Sequence, residues 1–145
     1  MMSELLTHSL EAAVTAAFEV ISELADEMDA QFENAADWAQ GSDANRSRLS
    51  ASVTLGGVRR PSILKSLRAK NLQIEFFWKT ERTRPDRLWN AVNCLEICIF
   101  HLSKLSGNDA AILKVELQQA VDAVKDTHFP PMFSKRGARK RRKNV

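Results

Sequence analysis

No lysine or arginine precedes Arg46, so the opening 45 residues carry ten acidic side chains with no basic one between them. A secretory leader needs a positively charged start and a transit peptide needs arginines, so neither is expected here. Cysteine is nearly absent: Cys94 and Cys98 are the only two, which excludes a disulfide framework and fits a reducing cytoplasm. Long apolar runs are missing as well. The most apolar stretch, 88–105, is interrupted by Asn90, Asn93, Glu96, His101 and Lys104, and a membrane span would not tolerate so many polar groups.

Catalytic patterns are also wanting. There is no Walker-type glycine loop, no Rossmann fingerprint and no His-Glu-x-x-His pair, so phosphate-cradling, dinucleotide and zinc-protease chemistries lose their usual carriers. His8 and His128 have no nucleophile or carboxylate placed beside them by sequence logic, and no triad can be drawn. Cys94, Cys98 and His101 fall at i, i+4 and i+7 and invite a zinc reading, but three ligands leave the tetrahedral set incomplete. Small buried cysteines of a core helix account for them better. The expectation is a non-enzymatic protein without cofactor or metal.

What is present is charge, sorted by segment. Residues 1–45 sum to −10, and residues 46–87 to +8, eleven basic residues standing against Glu75, Glu81 and Asp86. Residues 88–128 sum to −2 and residues 129–145 to +7, giving +3 for the 145-residue chain. Such segregation is expected of a protein that turns a basic surface towards a polyanion. The competing reading is that the acidic opening segment neutralises the basic middle one inside the fold.

The hydrophobic pattern predicts a mainly α, α+β protein of one domain over residues 1–133, followed by a disordered basic tail over 134–145. Ser3 is a candidate N-cap for a helix running to about residue 40, where Gly41-Ser42 ends it. Leu10, Val14, Ala17, Ile21, Leu24 and Met28 follow the 4-3 alternation of a coiled-coil seam, which Ala35 and Trp38 resume. A helix of that length spans about 54 Å and would overhang a body of roughly 40 Å, so a homodimer built on its seam is expected. The alternative is a bend near residues 26–29 that lets the helix pack on its own domain.

In the middle, the alternation of Leu49, Ala51, Val53 and Leu55 before Gly56-Gly57 predicts a strand and a turn. Pro61 to Lys70 predicts a short helix ended by Asn71. Residues 72–80 predict a second strand pairing with the first, with Ile74, Phe76 and Trp78 on one face and Glu75, Phe77 and Lys79 on the other. Thr83 and Pro85 then open a helix to about Ser106, with Leu88, Ala91, Val92, Leu95, Ile99 and Leu102 on one side. After Gly107-Asn108, a stripe of Ala110, Leu113, Leu117, Val121, Val124 and His128 predicts the second arm of an antiparallel helical hairpin, stopped by Pro130-Pro131.

Two groups of residues carry the functional expectation. Lys135, Arg136, Arg139, Lys140, Arg141, Arg142 and Lys143 form a tail that repels itself, and such a tail neutralises phosphates while releasing condensed counterions. Import signalling and simple solubility are the bland alternatives. The second group is Arg59, Arg60, Lys65, Arg68, Lys70 and Lys79, with Arg82, Arg84 and Arg87 following, interleaved with Phe76, Phe77 and Trp78. Cations around an aromatic strand are one way to hold single-stranded nucleic acid, with Trp78 as the stacking candidate, although strand aromatics are more often core. Gly56-Gly57 ahead of Arg59-Arg60 fits either a phosphate contact or a plain hairpin turn. Together these point to an accessory or regulatory protein that binds DNA or RNA, largely without sequence preference. The runner-up is an adaptor that offers its acidic helix to a protein partner.

Overall fold

A computed structural model describes residues 3–80 and 83–130. The tail candidates Lys135 to Lys143, the disorder expected from residue 134 onwards, and Arg82 all lie outside the described residues. The architecture is mainly helical with one two-stranded antiparallel sheet: β1 (Ser3–Ser9), α1 (Leu10–Glu33), α2 (Asp43–Gly56), α3 (Lys65–Arg68), β2 (Gln73–Lys79), α4 (Arg84–Ser103) and α5 (Asn108–Val124). A single 3-10 turn, Asp37–Ala39, sits between α1 and α2.

The N-terminal helix starts later than its pattern implies. Residues 3–9 are extended, and Ser9 rather than Ser3 caps α1, its hydroxyl accepting from the Ala12 N–H at 3.2 Å. The reason is tertiary. β2 needs a hydrogen-bonding partner, and the opening segment offers a period-two pattern in which Glu4, Leu6 and His8 lie in register with Trp78, Phe76 and Ile74. The helix also stops sooner, at Glu33 with Asn34 as its cap, so it is about 36 Å long and overhangs nothing. Leu10, Val14, Ala17, Ile21, Leu24 and Met28 are all buried within the chain's own fold. Ala35 and Trp38 do not extend the seam: Trp38 is 89% exposed. The overhang that motivated a dimer on α1 is therefore absent.

The middle segment departs most from expectation. Residues 49–55 are not a strand but the second half of α2, which Ser42 caps by accepting from the Asn45 N–H at 3.1 Å. Ala51 and Leu55, one helical turn apart, are buried, whereas Leu49 and Val53 are exposed. The alternation thus splits between the two sides of a helix. With no strand there, β2 pairs with β1 instead. The helix expected over 61–70 shrinks to the four residues of α3, Pro61 and Ile63 being buried in an extended approach. Asn71 does end that region as expected, in the left-handed conformation at φ 51°, which asparagine tolerates better than most residues.

The C-terminal hairpin forms as its pattern predicts. Thr83 caps α4, accepting from the Asp86 N–H at 3.3 Å and donating to the Asp86 carboxylate at 2.9 Å, with a proline in the first turn. Gly107, at φ 108°, makes the turn into α5, a conformation that a side chain would oppose. α5 ends at Val124, somewhat before Pro130. α1 packs on α2 and α4, α4 on α5, and α2 touches α5, so the four longer helices enclose one core. Leu24, Leu55, Leu95, Leu102, Leu117 and Val121 fill it. The inner face of the sheet, Ile74 and Phe76, closes one side of that core against α4 and α1.

Candidate nucleic-acid interface

The basic middle segment divides into two populations. In the first, the arginines are bound to the acidic helix. Arg87 grips Glu27 with both terminal nitrogens, at 2.9 and 2.6 Å, Arg84 Nε donates to the same carboxylate at 3.0 Å, and Glu23 stands 3.6 Å from Arg87. Hydrogen bonding from Arg87 is the main reason the Glu27 carboxyl is held below its ordinary range, against the opposing pull of partial burial, and Arg87 is raised in return. Arg68 likewise reaches Glu11 on the first turn of α1, at 3.0 Å from Nε and 2.7 Å from a terminal nitrogen. The neutralisation reading of the charge pattern holds for these three residues.

The second population lies on the connection between α2 and β2, residues 57–72. Arg59, Lys65 and Lys70 are exposed, and among the described residues no acidic side chain pairs with any of them. Arg60 is exposed as well, but donates to the Thr15 hydroxyl at 3.1 Å. The connection is fastened at both ends: Pro61, Ile63 and Leu67 are buried, and the Ser66 hydroxyl donates to Asp109 at the start of α5. Buried apolar positions thus alternate with cations turned outwards, which presents Arg59, Lys65 and Lys70 from a fixed backbone.

Between this connection and α1 run two adjoining cavities, about 630 and 400 Å3, which share Thr15, Glu19 and Arg60. Their walls carry Glu11, Glu19 and Asp26 as well as Arg60 and Arg68. A phosphate inside would meet carboxylates on one side. Arg59, Lys65 and Lys70 line neither cavity; exposed and without an acidic partner among the described residues, they make the better phosphate surface.

The aromatics sort differently from expectation. Trp78 is half-buried and packs edge-on against Phe76, ring centroids 5.8 Å apart, so its ring is largely committed to the fold. The neighbouring Phe77 points outwards and is 56% exposed. Trp89 and Phe100 on α4 are exposed too, with the Lys79 ammonium 4.2 Å from the Trp89 centroid and the Lys104 ammonium 4.3 Å from that of Phe100. Lys79 is otherwise paired with Asp86 at 3.5 Å. Trp89 and Phe100 both lie outside the stripe of Leu88, Ala91, Val92, Leu95, Ile99 and Leu102, the only residues of this helix to which the sequence pattern gives an apolar role. The signal was there: bulky rings outside a complete apolar face.

Compared with the models of known protein families, with curated protein sequences and with solved structures, the chain matches none. Function must be read from its own side chains. Cys94 and Cys98 are both fully buried, and the Cys94 thiol donates to the Ala13 carbonyl at 3.3 Å. Hydrogen bonding with Cys98 and then burial push that thiol far above the ordinary range, which keeps it protonated and a poor nucleophile or ligand. His101 is only half-buried and stacks edge-on with Phe100 at 5.8 Å. Among the described residues no helix is long and apolar enough to cross a membrane.

Proposed function

We propose that this is a non-enzymatic nucleic-acid-binding accessory or regulatory protein, acting in the cytoplasm on DNA or RNA largely without sequence preference. The observation that carries the reading is the trio Arg59, Lys65 and Lys70, exposed on one anchored connection and without acidic partners among the described residues, while other cations nearby are spent on α1. Lysine supplies point charge, and arginine adds bidentate phosphate contacts. The seven cations of residues 129–145 supply the second, larger share of the affinity through counterion release.

The deciding experiment is a salt series of binding to labelled single- and double-stranded nucleic acid, with the full chain and with a truncation after Phe133. Loss of four to six phosphate contacts flattens the slope of log K against log salt by roughly three to five units. Equal affinity and equal slope for the two proteins would remove the tail from the function. A second reading, a protein-interaction adaptor, is favoured by Glu19, Asp26, Asp29 and Glu33: these α1 acids form no ion pair among the described residues and share one side of the helix. It moves ahead if neither protein binds nucleic acid at low salt.

A further inference from the structure

The two edges of the sheet are unlike. Along β2, α4 takes up three of the backbone groups that face away from β1, at Lys79 and Phe77. Asn90 accepts from the Lys79 N–H at 2.7 Å and donates to the Lys79 carbonyl at 3.0 Å, and Asn93 donates to the Phe77 carbonyl at 3.2 Å. Asn90 is fully buried in doing so. Because residues 77 and 79 point their backbones away from β1, their register partners Leu5 and Ser3 point theirs away from β2, and Thr7 does the same.

No element among the described residues covers that far edge of β1. Among the described residues β1 pairs with β2 alone, and no hydrogen bond reaches the outward backbone of Leu5 or Thr7. Edge strands are normally blunted by lysine, proline, a bulge or a covering element. β1 has neither lysine nor proline, and its register runs through seven residues without a bulge. Leu5 is 57% exposed on the outer face, beside Phe77.

We propose that this edge is a homodimer interface, in which β1 of two copies pair antiparallel about a twofold axis at Leu6 to make one four-stranded sheet. A second copy is the occupant because the strand is complementary to itself. Registers must keep inner-face residues opposite inner-face residues. Among the symmetric ones that do, only that centred on Leu6 overlaps all seven residues of the strand. It also sets Glu4 opposite the partner's His8, a favourable cross-strand pair, and lays Leu6 against the partner's Leu6. Leu6, half-buried against Phe76 in one copy, then joins an apolar row that runs through both. Leu5 and Thr7 exchange backbone hydrogen bonds with the partner's Thr7 and Leu5, about four in all. This interface is independent of the nucleic-acid reading, and it leaves the α1 seam inside each copy.

The test is sedimentation equilibrium of the full chain up to a few hundred micromolar, with three variants. Thr7→Pro removes a donor that faces away from β2, so the monomer loses no ladder bond, while the dimer dissociation constant rises at least about tenfold. Leu6→Cys places two thiols at a non-hydrogen-bonded pair, about 4.5 Å apart at Cα, which a disulfide spans. Mild oxidation then yields a covalent dimer, and Val53→Cys, exposed on α2, does not. The native Cys94 and Cys98 are buried and do not compete. A wild type that stays monomeric overturns the proposal, as does a dimer indifferent to Thr7→Pro or a Leu6→Cys protein that cross-links no faster than Val53→Cys. If Thr7→Pro fails to fold, the wild-type association and the Leu6→Cys cross-link still decide.

Discussion

Arg84 and Arg87 stand only a few residues beyond Lys79 in the same net-basic segment, yet their situation is opposite to that of Arg59, Lys65 and Lys70. The first pair is about four-fifths shielded and locked onto Glu27. The trio is exposed and, among the described residues, has no acidic partner. The difference comes from geometry. α4 lies antiparallel to α1, which brings its first turn against the acidic second half of that helix, whereas the 57–72 connection meets α1 mainly at its N-terminal half, where Arg68 and Arg60 already stand beside Glu11 and Glu19. Charge of one sign in a sequence is thus one quantity with two uses, and the neighbouring element decides between them.

The strongest way to break this comparison is to replace Arg59, Lys65 and Lys70 together by alanine. If all three touch phosphate, the salt slope of binding falls by roughly two to three units, while thermal stability stays within about 0.5 kcal/mol of wild type, as for exposed positions generally. A triple variant that binds unchanged but melts early would place the trio with Arg84 and Arg87.

The same contrast applies to adjacent aromatics. Trp78→Ala leaves a gap beside Phe76 and lowers stability by about 2 kcal/mol, below the range for fully buried aromatics because the ring is only half-covered. Phe77→Ala costs little stability and weakens binding to single strands selectively if bases stack there. Denaturant melts and paired single- and double-strand titrations separate the two, and a selective single-strand defect in Trp78→Ala alone would reverse the assignment.

Arg87→Ala tests the structural pair from the other side. It removes the main partner of a partly shielded carboxylate and lowers stability by about 1–2 kcal/mol, with no change in salt slope. The smallest effect concerns pH. The folded carboxyl of Glu27 titrates below its unfolded value, so its contribution is complete above the ordinary carboxylate range and is lost as pH falls through the depressed folded value. Glu27→Gln therefore lowers stability at neutral pH and flattens the acid side of the stability profile. An acid limb as steep as that of wild type would show that the Arg84–Glu27–Arg87 cluster contributes nothing measurable.

The sequence by itself determined the mainly helical class, the seam of α1, the hairpin of α4 and α5, and the strand at residues 73–79, because in each the apolar period repeats long enough to select one geometry. Thr83, Pro85, Gly107 and Asn71 were legible for the same local reason: capping, first-turn and positive-φ chemistry act within a few residues. Other features were decided only by tertiary structure. Residues 3–9 gave up a helical continuation to complete a sheet, and residues 49–55 became helix because strand alternation over four apolar positions is too short to exclude two faces of a helix. The fate of each cation was equally beyond the chain's one-dimensional pattern. Whether an arginine meets a carboxylate depends on which turn of α1 the fold lays against it, and that is set by the packing of four helices around a shared core.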